Sequence, residues 1–184
     1  MKQFVEIGTS DFDTCHKLLD LGWKGLMVEP VKELFLNLPE HPNLTKVNCA
    51  ISDFSGSIDM MVCLDFKLHN FSWGRGISHV IDDNHLGWKM MLDPTHENTW
   101  KEKRTVPCTT LDKLLFLNGI KQIDYLKIDV EGHELNILNN YTFDIAPTFI
   151  KCEHKHVNDE ELIKILERQG YIVYREEDDL YAVG

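Results

Sequence analysis

The sequence predicts an α/β fold: a mostly parallel sheet covered by helices, with an antiparallel strand at its C-terminal end. Two observations carry this. Short apolar runs alternate with helical patterns over most of the 184 residues, as expected for parallel strands joined by helical crossovers. The last pieces, Tyr171 to Arg175, the acidic turn Glu176 to Asp179, and Leu180 to Val183, read as strand, turn and strand. A hairpin ending a parallel series requires one antiparallel strand there. At 184 residues and 43% hydrophobic content, the chain can bury one full core, so residues 1–184 are expected to form one domain.

Phe4 to Gly8 is the first strand. Asp13 is placed to cap a helix with Cys15, Leu18 and Leu19 on its apolar face, ended by Gly22 in the left-handed conformation that helix C-caps favour. Gly25 to Glu29 is the second strand, and Pro30 falls in the first turn of a helix that stops near Pro39. Val47 to Ile51 reads as a third strand, and Ser57 to Cys63 as an extra one after the turn Asp53 to Gly56.

From Asp65 to about Arg104 periodicity is weak. Trp73, Trp88 and Trp100 fall there with His69, His79, His85 and His96, so residues 65–104 are expected to be a lid or substrate segment. Regularity returns at Thr110, which caps the helix Leu111 to Leu117 ended by Asn118-Gly119. Ile123 to Asp129 is a buried strand, followed by a helix from about Gly132 to Asn139 and a strand from Thr148 to Glu153. Asn158 and Glu161 have capping-box spacing for the helix Asp159 to Gln169, closed by Gly170.

A formal net charge of −11 argues against nucleic acid as a partner, because that affinity comes largely from Lys and Arg displacing condensed counterions. The basic cluster Lys101 to Arg104 contains Glu102 and reads as a solvated loop. Five cysteines with no CxxC pair indicate reduced thiols. No stretch reaches the apolar length of a bilayer span, and Met1 to Val5 lacks a signal-peptide core. A soluble, cytoplasmic protein without a membrane partner is expected. The oligomeric state is left open, a homo-oligomer included.

In a doubly wound sheet, ligands sit beyond the carboxyl ends of the strands. Those ends here are Glu6-Ile7-Gly8, Val28-Glu29-Pro30, Ala50 to Asp53, Lys127-Ile128-Asp129 and Cys152-Glu153-His154. Carboxylates crowd them, and core packing does not account for that, because unpaired buried carboxylates are costly. A dinucleotide would require further glycines where Asp11 and Phe12 stand, and Glu6 would face its pyrophosphate. A nicotinamide-dependent oxidoreductase is therefore disfavoured. S-adenosylmethionine carries an ammonium and a sulfonium and no phosphate, so an acid and one glycine suit it. Glu29 lies 21 residues after Gly8, close to the roughly 20-residue spacing at which an acid meets ribose hydroxyls.

The segments "VEIGTSDFDT", "GLMVEP", "NCAISDFSGSIDM", "VPCTTLDKLL", "IDYLKIDVEGHELNIL", "FIKCEH", "GYIVY" and "LYAV" resemble, in order, the FkbM-type family of class I S-adenosylmethionine-dependent methyltransferases. The resemblance implies a Rossmann-like three-layer sandwich whose seven-stranded, mostly parallel sheet has an antiparallel C-terminal strand. It implies that Glu6, Gly8 and Ser10 shape the methionine end of a cofactor pocket. Glu29, with Pro30 beside it, would bind the ribose. Ala50, Ile51, Ser52 and Asp53 would surround the adenine, and Asp129 would face the reactive end.

Methyl transfer to an alcohol needs an aligned acceptor and a base for its proton. Asp129, Glu131, His133, Glu153 and His154 are candidates, with Asp129 assigned to positioning and Glu131 or His154 to the base. With no HExxH or comparable spacing among these residues and His156, no metal is expected. Trp73 and Arg75, in "FSWGRGIS", are candidate contacts for a small sugar-like acceptor. The expected function is O-methylation of a carbohydrate or carbohydrate-like natural product; the alternative is a non-catalytic domain that keeps the fold to bind cofactor or partner.

Overall fold

The computed structural model describes residues 1–10, 14–63, 77–81 and 101–184. In chain order these form β1 (Gln3–Ile7), a 3-10 helix (Cys15–Leu21), β2 (Lys24–Val28), α1 (Lys32–Asn37), β3 (Leu44–Val47), β4 (Ala50–Ile51), β5 (Gly56–Cys63), β6 (His79–Val80), β7 (Lys101–Thr109), α2 (Leu111–Leu117), β8 (Tyr125–Ile128), α3 (Glu134–Asn140), β9 (Phe149–Glu153), α4 (Asp159–Arg168), β10 (Ile172–Glu176) and β11 (Asp179–Val183).

Seven strands make one mixed sheet in the order β10-β11-β9-β8-β1-β2-β3. From β9 to β3 neighbouring strands run parallel, while β11 runs against both β9 and β10. Residues of β1 and β2 alternate between two cores. Val5, Ile7, Leu26 and Val28 join the cluster that takes Leu111, Leu114 and Leu115 from α2, Ile137 and Leu138 from α3, and Leu162 and Leu166 from α4. Phe4 and Met27 face the other way, onto Leu19 of the 3-10 helix and Leu38 after α1. Both faces of the central strands are thus covered, which is why they read as nearly continuous apolar runs. Each fully buried Leu, Ile or Phe contributes roughly 1.5–3 kcal/mol by its removal from water.

The helix ends follow their capping chemistry. Thr110 accepts from the Lys113 N–H at the start of α2, and Asn158 accepts from the Glu161 N–H at the start of α4. Gly22 closes the 3-10 helix at φ +79°. The first helical segment is 3-10, with Thr14 at its N-cap position; Asp13 lies outside the described residues. Pro30 precedes the N-cap Val31 of α1 instead of occupying the first turn.

Two expectations are corrected. Val47 to Ile51 is not one strand, because the chain leaves the large sheet after Val47 and joins another at Ala50. Asn48 fixes the crossing by donating from Nδ2 to the Glu29 and Pro30 carbonyls at 2.7 and 3.0 Å. Lys101 to Arg104 is the start of the nine-residue strand β7, not a solvated loop. It belongs to a second sheet in the order β4-β7-β5-β6, with β5 and β7 paired antiparallel from Gly56↔Cys108 to Cys63↔Lys101. Among the described residues only Cys108 and Thr109 of β7 pair with β4, and none pairs with the rest of β7 on that side. That edge tolerates Pro107 and carries charge: Lys103 pairs with Asp59, and Arg104 forks onto Glu33 at 2.7 and 3.0 Å. Of the expected lid, residues 77–81 and 101–104 therefore belong to or adjoin this sheet; the remainder lies outside the described residues.

Candidate functional site

In the large sheet the strand order reverses between β1 and β8, and a crevice opens at their carboxyl ends, where ligands bind in open α/β sheets. An open cleft of about 530 Å³ lies there, lined by Ile7, Gly8 and Ser10 after β1, Val28, Glu29 and Pro30 after β2, and Asp129 to Glu131 with His133 after β8. Cys49, Ala50 and Ile51 form an apolar side, and Leu34 of α1 with Met60, Ser78 and Val80 of the small sheet closes over them.

Gly8 makes the crevice possible. Its φ is +76°, and a Cβ there would lie 1.7 Å from the Asp129 carbonyl oxygen, so only glycine lets the two strand ends approach. Ser10 is also left-handed, at φ +52°. Glu29, 4% exposed, accepts from the Ser10 N–H at 2.7 Å and the Val31 N–H at 2.7 Å. It thereby ties the loop after β1 to the loop after β2. The Ser10 hydroxyl is buried and has no hydrogen-bond partner among the described residues.

The cluster after β8 is held from below. Glu134, 1% exposed, accepts from the Val130 N–H at 2.9 Å and the Gly132 N–H at 3.0 Å. Burial pushes its carboxyl up to about 7, against the pull of those N–H groups. This clamp holds a loop in which Glu131 sits at φ +57° and Gly132 at φ +107°, a conformation that is strained for a residue with a side chain. Glu131 Oε2 lies 3.2 Å from His156 Nε2. Asp129 Oδ2 lies 3.7 Å from Lys127 Nζ; burial raises its pKa, Lys127 opposes the rise and Glu131 adds to it. Glu153 is pushed up to about 9, first by burial and then by the Glu131 carboxylate.

The expected site residues separate into two groups. Gly8, Ser10, Glu29, Pro30, Ala50, Ile51, Asp129 and Glu131 converge on the cleft. Glu6 does not reach it. It is fully buried and registered opposite Lys127 of β8, whose Nζ lies 3.3 Å from Glu6 Oε1, and it accepts the Cys15 N–H at 2.9 Å. Glu6 is thus a paired interior acid, and the lysine that pairs it also reaches Asp129. Ser52 and Asp53 do not line the cleft. Ser52 Oγ donates to Asp53 Oδ1 at 2.9 Å and sits 2.9 Å from His133 Nε2. A hydroxyl has one proton, so the imidazole donates from Nε2. His154 is held at the terminal hairpin by the Glu177 carbonyl, 3.1 Å away, and does not line the cleft. Trp73 and Arg75 lie outside the described residues.

Sequence reasoning had no route to Met60, Ser78 and Val80, which enter through the small sheet. His133 was visible as a polar residue after a strand end, but its contact with Ser52 joins two distant segments.

A mostly parallel α/β sheet with an acid- and glycine-lined crevice at its switch point is the architecture in which open α/β folds place their ligands. The family model described as the methyltransferase FkbM domain matches residues 5–173, and the chain belongs to that family of methyltransferases. No curated protein and no solved structure gave a significant match. Among the described residues no helix is long and apolar enough to cross a membrane.

Proposed function

We propose that residues 1–184 act as one S-adenosylmethionine-dependent domain that methylates a hydroxyl of a carbohydrate or carbohydrate-like acceptor. The observation that carries the cofactor assignment is the cleft itself, where the Gly8 cradle, the Glu29 carboxylate and the unpartnered Ser10 hydroxyl meet an apolar side made by Ala50 and Ile51. These groups fit the donor set of S-adenosylmethionine. Gly8 admits the backbone approach, and the Ser10 hydroxyl offers a hydrogen bond at the amino-acid end. Glu29 keeps acceptor capacity for ribose hydroxyls, since each carboxylate oxygen has more than one lone-pair site. Ala50 and Ile51 offer a flat apolar contact for a base.

When bound, the cofactor would supply a methyl group activated by a sulfonium. The protein's own part is to align the acceptor and take its proton. Asp129 stands at the end of β8 with Lys127 holding its carboxylate, and Glu131 projects from the strained loop beside it. We assign acceptor positioning to Asp129 and the base to Glu131. The five cysteines form no disulfide with one another, which supports a reducing, cytoplasmic setting. The net charge of −11 supports a small-molecule acceptor over nucleic acid.

The acceptor class is tested by turnover. Purified protein with S-adenosylmethionine and a panel of sugars, glycosides, amines and carboxylic acids is assayed for S-adenosylhomocysteine by mass spectrometry. Product should form with hydroxyl acceptors, matched by a methyl ether. Turnover only with amines or acids would overturn the O-methylation assignment, and cofactor binding without turnover on any acceptor would favour a non-catalytic domain.

A further inference from the structure

The fold gathers side chains that sequence spacing keeps apart. Glu131 comes from the loop after β8, Glu153 ends β9, and His156 lies in the loop before α4. One donor atom from each lies within 4.8 Å of the other two. Donors bound to a common cation at about 2.0–2.2 Å stand about 3 to 4.4 Å apart, a spacing close to that of this set.

An independent observation points to a ligand at this place. Glu153 Oε2 is sealed from solvent and has no hydrogen-bond partner among the described residues. A buried carboxyl oxygen left in that state is unfavourable until a proton or a cation meets it. The lysines on the neighbouring strands and loop make their ion pairs with other carboxylates, Lys127 with Glu6 and Asp129, Lys151 with Asp179 and Lys155 with Asp178, and Lys155 acts on Glu153 only through space. The cluster also adjoins the cleft, because Glu131 lines it.

We propose that Glu131, Glu153 and His156 bind a divalent first-row cation at the rim of the cleft. Two carboxylates and one imidazole suit manganese, iron or zinc better than the all-oxygen shells of calcium and magnesium. Three protein donors leave coordination positions open, and Glu131 places the cluster beside the cleft. The site exists independently of the methyl-transfer reading. Its use rests on that reading: to hold a hydroxyl acceptor by its oxygen and acidify it beside the methyl donor, a task the cation then takes over from Glu131 acting as a free base.

Metal-stripped full-length protein, with no methyl donor present, is titrated with Mn²⁺ by calorimetry and by loss of the free-ion electron paramagnetic resonance signal. The expected result is about one ion per chain with a dissociation constant of about 100 μM or tighter. Glu153→Gln and His156→Gln should each weaken binding about tenfold or more, while Glu160→Gln, on the exposed side of α4, leaves it unchanged. Glu153→Gln removes only a charge, and circular dichroism melts check that both site variants are folded. Absence of Mn²⁺ and Zn²⁺ binding at about 1 mM, or wild-type binding in folded Glu153→Gln and His156→Gln, overturns the proposal. Since these titrations contain no S-adenosylmethionine, their failure is separate from failure of the cofactor assignment.

Discussion

Replacing Gly8 with alanine should destabilise the protein by about 2–5 kcal/mol, combining an overpacked contact with a side chain forced into the left-handed region. The added Cβ would stand 1.7 Å from the Asp129 carbonyl oxygen, 2.7 Å from its carbon and 3.1 Å from Val130 Cγ1. Two of these three are backbone atoms, so no rotamer change relieves the overlap. Asp129 is itself held by its N–H, which donates to the Ile7 carbonyl at 3.0 Å. Relief therefore requires β1 and β8 to part at the point where the crevice forms. Urea unfolding measures the stability loss, and the folded fraction should lose cofactor affinity. A change below about 0.5 kcal/mol, the range of an ordinary surface substitution, would contradict the placement of Gly8.

The second large effect is on pH dependence. The Glu134 carboxyl is raised from its ordinary 4.5 to about 7 by burial, so the folded state holds a proton that the unfolded state releases. Stability from this group is fully present below about pH 4.5 and is lost as pH rises to about 7, a change of about 3 kcal/mol. Glu134→Gln removes the charge while keeping one oxygen for the Val130 and Gly132 N–H groups. Between pH 5 and pH 8 its stability should therefore fall by about 2–3 kcal/mol less than wild type, read from denaturant midpoints. Parallel curves for the two proteins would contradict the burial assigned to Glu134.

Where local chemistry decides structure, the sequence was legible. Thr110 and Asn158 cap the helices they precede, Gly22 takes the left-handed φ of a C-cap, and the Glu176 to Asp179 turn joins the antiparallel strands it was expected to join. Long-range pairing was not legible. The charged start of β7 reads as a loop because its charges find Asp59 and Glu33 on other elements. Glu6 was recognisable as an acid that core packing cannot leave alone. Its partner, Lys127, becomes visible only once β1 and β8 lie side by side in register. The same holds for Glu131, Glu153 and His156: each residue type stood out, but their convergence depends on the β8–β9 neighbourhood.

The positions around the cleft were more legible than the roles. Gly8, Glu29 and Asp129 follow strand ends of the large sheet, which meet at one edge, and Ala50 and Ile51 reach the cleft where the chain leaves β3 for β4. His154 also follows a strand end, yet the terminal hairpin takes it up through the Glu177 carbonyl. Strand-end logic fixes the edge of the sheet, and side-chain partners then decide which groups face a ligand.

Calorimetric titration of the wild-type protein with S-adenosylhomocysteine tests the central claim most directly, because it requires neither an acceptor nor a metal. About one equivalent should bind per chain with a micromolar dissociation constant, and the thermal midpoint should rise with ligand concentration. No heat of binding and no midpoint shift up to about 1 mM ligand with folded protein would contradict it.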